Sequence, residues 1–257
     1  FDMKQGKAKP ILDYDVISQL EADSLPEGWQ YLPDIEGFID GPLSAKERTI
    51  LGDDQEQWLR QALQQSQRRG STWQIIGQQV LMGRLFIPAL SDEDLQLETL
   101  SKSRVSRLKP MQAMAGTGLP FNLDAWDGYP RERERLFKEL KQANSVLVLT
   151  GDTHNSWLNN LYDKKNNFIG VEIGTPAISS PNTIDTFGSL TEQIEQEFIN
   201  ENDNVKWTEG RHKGYTLLKI TKDKSEVRFV YVSTVKSKTY EIMDSNRFEL
   251  KPNKPII

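Results

Sequence analysis

At 257 residues, with 27% charged and 37% hydrophobic positions and a formal net charge of -5, the chain has the makeup of a globular protein able to bury a sheet-centred core. The acidic balance provides no nucleic-acid-binding surface, and no apolar run approaches the roughly 18 to 20 residues that a membrane span requires. Zero cysteines exclude disulfides, a thiolate nucleophile and zinc–thiolate sites within these residues.

The sequence opens FDMKQGKAKP, on Phe rather than Met, which leads us to expect a processed or excised piece whose targeting signal lies elsewhere. Residues 1–43 scatter Pro, Gly and aromatics without periodicity and read as a loop-rich segment with one short helix near 13–22. GDDQEQWLRQALQQSQRRG then predicts a helix capped by Asp53, with Trp58, Leu59, Ala62 and Leu63 on its apolar face and Gly70 at its end. STWQIIGQQVLMG reads as a strand through Trp73, Ile75, Ile76, Val80 and Leu81. The mixed charges of residues 91–114 fit a solvent-facing helix or excursion ending near Pro110.

A WDGY turn (Trp126 to Tyr129) leads into a helix with Pro130 in its first turn and Leu136, Phe137 and Leu140 as its buried stripe. VLVLT follows as a strand with no wet face, because every residue but the last is aliphatic and nothing alternates. FIGVEIG gives another strand and LTEQIEQEFINEN another helix; YTLLKIT and EVRFVYV around TKDKS form a hairpin. Strands alternating with helices, then a closing hairpin, describe a layered α/β domain with a mixed sheet over residues 44–235, followed by a tail at 236–257.

The chemistry concentrates in VLVLTGDTHNSW, residues 146–157. In open α/β sheets ligands sit at the carboxyl ends of strands, where the loops diverge. Asp152 and His154 emerge there, and a carboxylate with an imidazole suits iron, manganese or zinc, while a carboxylate also suits calcium. The residues alone leave a second reading open: an Asp that bonds the turn backbone and a His packed under a loop. Asn155 supplies an amide oxygen or orients the pair. His212, between Arg211 and Lys213, reads as a surface residue. A serine hydrolase is the competing enzyme class, but no G-x-S-x-G elbow occurs, nor a phosphate-cradling P-loop or dinucleotide fingerprint.

Six blocks in order, LGDDQEQWLRQAL, TWQIIGQQV, NLDAWDGYPRERERLF, VLVLTGDTHNSW, VEIGTPAISSP and GYTLLKIT, resemble the carboxy-terminal half of the alkaline phosphatase D (PhoD-like) family of metallophosphoesterases. The resemblance implies the later half of a four-layer α/β/β/α sandwich, an iron and calcium centre with other divalent metals as alternatives, and hydrolysis of phosphate monoesters or diesters. It places Asp152 and His154 as catalytic metal ligands, with Asn155 and Trp157 as neighbours of the site. Trp126 would shape the pocket wall, or serve as a structural turn, and Gln78 or Gln79 would approach the crevice, with Asn155, Trp126 and Gln79 as the substrate contacts. The family's other ligands, among them a cysteine, a bridging carboxylate, a tyrosine and an asparagine, belong to upstream motifs that these residues do not include. An apolar sheet face is therefore expected to need cover from a missing amino-terminal half or a partner chain. The alternative is a catalytically incomplete subunit or paralogue that binds such a partner. The resemblance also implies a periplasmic or cell-envelope location.

Overall fold

The aliphatic run at 146–150 forms a strand with both neighbours in register, and it organises the rest of the chain. In the computed structural model, which describes residues 3–4, 25–30, 34–243 and 246–257, this strand is β2 (Val146–Thr150) of a five-stranded mixed sheet. The expected helix near 13–22 lies outside the described residues. β2 pairs in parallel with β1 (Gln74–Gly77) and β4 (Phe168–Gly174), while β3 (Ser156–Tyr162) runs antiparallel between β4 and β5 (Val205–Glu209). The order is β1-β2-β4-β3-β5. The carboxyl ends of β2 and β4 therefore meet the start of β3 at one end of the sheet.

Alternate residues of the central strands take opposite partners. Val146 and Val148 pack with Leu63, Leu136, Phe137 and Leu140 of two helices, α2 (Gly52–Arg68) and α4 (Pro130–Leu140), while α1 is a short turn at Ile35–Phe38. On the same side, α3 (Lys102–Met114) and α6 (Thr191–Glu201) enclose Leu108, Ile194 and Phe198 against Trp157; between them lies the short α5 (Thr183–Phe187). Leu147, Leu158, Val171 and Ile173 face the other way, onto Val227, Phe229, Tyr231 and Leu250. Those residues belong to a second, antiparallel sheet of β6 (Lys213–Ile220), β7 (Ser225–Val232), β8 (Ile242–Met243) and β9 (Arg247–Leu250). The described layers run helices, mixed sheet, antiparallel sheet. The outer face of the second sheet leaves Tyr215 and Leu217 nearly half exposed.

Several expectations change. Asp53 lies inside the first turn of α2 and caps nothing. The approach to that helix is held instead by Glu132, fully buried on α4, which accepts from Thr49 Oγ1 at 2.6 Å, from the Ile50 amide at 2.5 Å and from the Leu51 amide at 3.2 Å, while the Gly52 amide donates to Thr49 Oγ1 at 2.8 Å. Trp58 is 67% exposed, so the buried stripe of α2 runs through Leu63 without it. β1 ends at Gly77, and Ile75 on it is exposed; Val80 and Leu81 belong to a connection that crosses the helix side of the sheet. That connection is pinned by the buried Glu172 of β4, whose carboxylate accepts from the amides of Met82 and Gly83. The helix over residues 102–114 runs through Pro110 instead of ending there. Strands β3 and β5 were not foreseen, and the segment read as a tail returns β8 and β9 to the second sheet.

Candidate active site

Thr150 and Gly151 close β2 in a tight arrangement: the Gly151 amide donates to the Gln79 carbonyl at 3.0 Å, and the Thr175 amide donates to the Thr150 carbonyl at 2.9 Å. The chain then turns sharply enough that Asp152 and His154 both adopt left-handed backbone, at φ 69° and 63°. Non-glycine residues pay for that conformation, and two within three positions mark a turn held by its surroundings. What holds it is visible. The Thr153 amide bonds the Gly151 carbonyl, Trp157 Nε1 donates to Thr153 Oγ1 at 2.8 Å, and the Ala177 amide reaches the His154 carbonyl.

His154 Nδ1 lies 2.6 Å from the carbonyl oxygen of Pro181. A carbonyl only accepts, so Nδ1 carries the proton and Nε2 is left as the unprotonated nitrogen of the neutral ring. This is the tautomer that a metal-ligating imidazole needs. The Asp152 side chain is exposed at the same mouth and has no protein hydrogen bond among the described residues. The donor set thus fits a cation on one side. No group of three or more His, Asp, Glu or Cys residues able to hold a metal occurs among the described residues.

The other expected site residues divide. Gln79 is exposed beside Gly151, where a crevice contact requires it. Asn155 is engaged at both ends of its amide, donating to Thr183 Oγ1 at 2.7 Å and accepting from the Thr183 amide at 3.3 Å. It acts as a tie between the GDTHN turn and the 181–183 loop. Trp126 is 1% exposed and donates to Gln78 Oε1 at 2.9 Å, so it is a core residue beneath the loop and not at the mouth. Asp127 of the same turn pairs with the buried Arg133 and accepts from the Leu85 amide.

Sequence reasoning missed the flank formed by the β5–β6 connection. His212 sits on Glu209, Nδ1 to Oε1 at 2.8 Å, and its carbonyl accepts from Asn182 Nδ2. Both histidines of the chain therefore bracket the Pro181–Asn182 segment. Glu195 accepts from the Gly210 amide, and its pKa is raised by burial, while Arg211 lies near both Glu195 and Glu209. Tyr231 closes the group beneath, sharing a 2.7 Å hydrogen bond with Ser156 Oγ, and burial drives its phenol well above the usual range. The Glu209-x-x-His212 spacing was the available signal, but the flanking Arg and Lys masked it.

Comparison with known proteins gives the family and the fold. A family model described as PhoD-like phosphatase matches residues 30–229. Alkaline phosphatase D of Bacillus subtilis (strain 168) is 31% identical over 165 residues, which is 60% of this chain and 23% of that protein. A solved structure of PhoD aligns with a TM-score of 0.59 at 24% identity, over 80% of this chain and 34% of that one, and supports the mixed α/β fold. The matches thus span 23% and 34% of the length of these relatives. With the family model covering most of its residues, the chain belongs to the PhoD-like phosphatase family.

Proposed function

We propose that this chain carries one side of the metal centre of a phosphoric ester hydrolase acting on phosphate monoesters or diesters. The observation that carries the reading is the His154 ring, fixed by the Pro181 carbonyl so that Nε2 is free to bind, beside an unpartnered Asp152 carboxylate at a strand end. Asp152 and His154 hold the cation, with iron and calcium the metals that family membership favours. When bound, such cations polarise phosphoryl oxygens and make hydroxide available near neutral pH. The chain's own residues orient the ligands: Pro181 sets the His154 tautomer, Asn155 fixes the loop that carries Pro181, and Thr153 and Trp157 lock the turn. Gln79 contacts the leaving group from the rim.

The same reading assigns the described layers to three of four in an α/β/β/α sandwich. The missing helical layer, with the remaining ligands, lies over Tyr215 and Leu217 and comes from an amino-terminal half or a partner chain. A periplasmic or envelope location follows from the family resemblance, and no described helix is long and apolar enough to cross a membrane.

The test is His154→Ala in the whole protein. Removing a ligand should lower bound metal and cut kcat on an aryl phosphate by more than about a hundredfold, beyond what loss of a supporting residue costs. Unchanged metal content and turnover would remove His154 from the centre.

A further inference from the structure

The end of the mixed sheet opposite Asp152 and His154 carries a cavity of about 420 Å³. β3 begins at the mouth with Ser156 and reaches this cavity with Asn160, Leu161 and Tyr162. At about 3.3 Å per residue the two ends stand roughly 20 Å apart, so one small ligand cannot occupy both.

The wall is cationic on an acidic chain. Arg84, Arg133, Lys164 and Lys206 line it, against Asp163 and Asp203. Asp163 is already committed, accepting from the amides of Lys165 and Asn167 and from the Asn167 side chain, with Lys141 at 3.6 Å. Arg133 is paired with Asp127. Arg84, Lys164 and Lys206 make no ion pair among the described residues; Asp203 shares their wall, and Asp127 and Glu134 act on Arg84 from farther off.

A second observation points the same way. Arg133 is 3% exposed, yet among the described residues its Nε has no acceptor, and neither does the buried Nδ2 of Asn204 on the same wall. Buried donors are almost always matched, so a pair left open at a cavity asks for an acceptor from outside the chain. Desolvation, then the neighbouring charge of Arg133, holds the Arg84 guanidinium below its ordinary pKa, against the opposing pull of Asp127 and Glu134.

We propose that this cavity is a second, non-catalytic site for a small dianionic oxyanion, phosphate or dicarboxylate, gripped by Arg84, Lys164 and Lys206 over the buried Arg133 fork. Its volume falls within the range of about 300 to 1,000 Å³ common for small-ligand pockets. The planar guanidinium groups suit paired oxygens, and the lysines add charge without fixed geometry. The site uses none of the residues assigned to the metal centre, so it stands or falls separately from the proposed chemistry.

Calorimetric titration of the whole protein with inorganic phosphate, and separately with succinate, tests it. The His154→Ala background takes away the metal-centre contribution. In that background phosphate binding should persist, weaken at least about tenfold in Arg84→Gln/Lys206→Gln, and recover in Arg84→Lys. Both changed residues lie at the protein surface, and a melting temperature measured on each variant separates lost binding from lost folding. Binding of succinate with the same mutational pattern assigns the site to dianions in general, and its failure beside bound phosphate assigns it to phosphate. Absence of binding by either anion in His154→Ala, or binding that Arg84→Gln/Lys206→Gln leaves intact, overturns the proposal.

Discussion

The two sheets obey different rules. β2, β3 and β4 are buried on both faces, helices on one side and the second sheet on the other, and their sequences are correspondingly apolar or internally hydrogen-bonded throughout. β6 alternates instead, with Thr216, Leu218 and Ile220 turned inward and Tyr215, Leu217 and Lys219 outward. The middle of the mixed sheet is covered on both faces by the residues described here, whereas the second sheet is covered on one. The difference teaches that the GDTHN turn grows from strands enclosed on both sides, while any further layer would bear on the outer face of the second sheet.

Three measurements break or sharpen that contrast. The largest effect belongs to the shared interior: Phe229 is fully buried between the sheets, stacked near Trp207, and Phe229→Ala should cost about 3–5 kcal/mol in denaturant unfolding. A loss below about 1 kcal/mol would mean the two sheets are not packed as one core. Next, Leu217→Ser probes the outer face. In the whole protein we expect about 2 kcal/mol of destabilisation if a further layer covers it, against under about 0.5 kcal/mol if it stays in water.

The smallest effect concerns the tie from α5 to the first residue of β6. The Lys213 ammonium, 2.7 Å from Asp185, and then the Asn182 amide hold the Asp185 carboxyl below its ordinary pKa. A depressed carboxyl contributes stability above its unfolded pKa of about 3.9 and loses it as pH falls through the folded value. Asp185→Asn should therefore lower the melting temperature slightly at pH 7, where the contribution is present in full, and flatten its fall below about pH 4 by the same small amount, since the pair is partly solvated. An unaltered acid slope would detach this pair from the stability of the second sheet.

Residues whose roles rest on local pattern were readable from sequence. The all-apolar β2, the Pro130 start of α4 with its Leu136–Phe137–Leu140 stripe, and the 213–232 hairpin each carry their own signal within a few residues. β3 was not readable, because SWLNNLY places Asn159 and Asn160 at fully buried positions, where Asn159 Nδ2 donates to Glu172 and Asn160 pairs with the backbone of Ile256. Those partners lie far along the chain, so no window of sequence shows that the asparagines are interior. Trp58 failed for the converse reason: helical spacing puts it near the apolar stripe, but among the described residues that part of α2 is left exposed. At the site, the D-x-H spacing showed which side chains share a turn. That Pro181 sets the histidine tautomer, and that Glu209 and His212 flank it, depended on loops 27 or more residues away.

The Glu172 carboxylate, fully enclosed by the crossing connection, has a consequence for how that connection behaves in solution. The Met82 and Gly83 amides belong to no strand or helix, yet their hydrogens point into a sealed acceptor in mid-sheet. In deuterated solvent they should retain protium as long as the central strands do, so a segment irregular in shape will behave as one of the most slowly opening parts of the molecule.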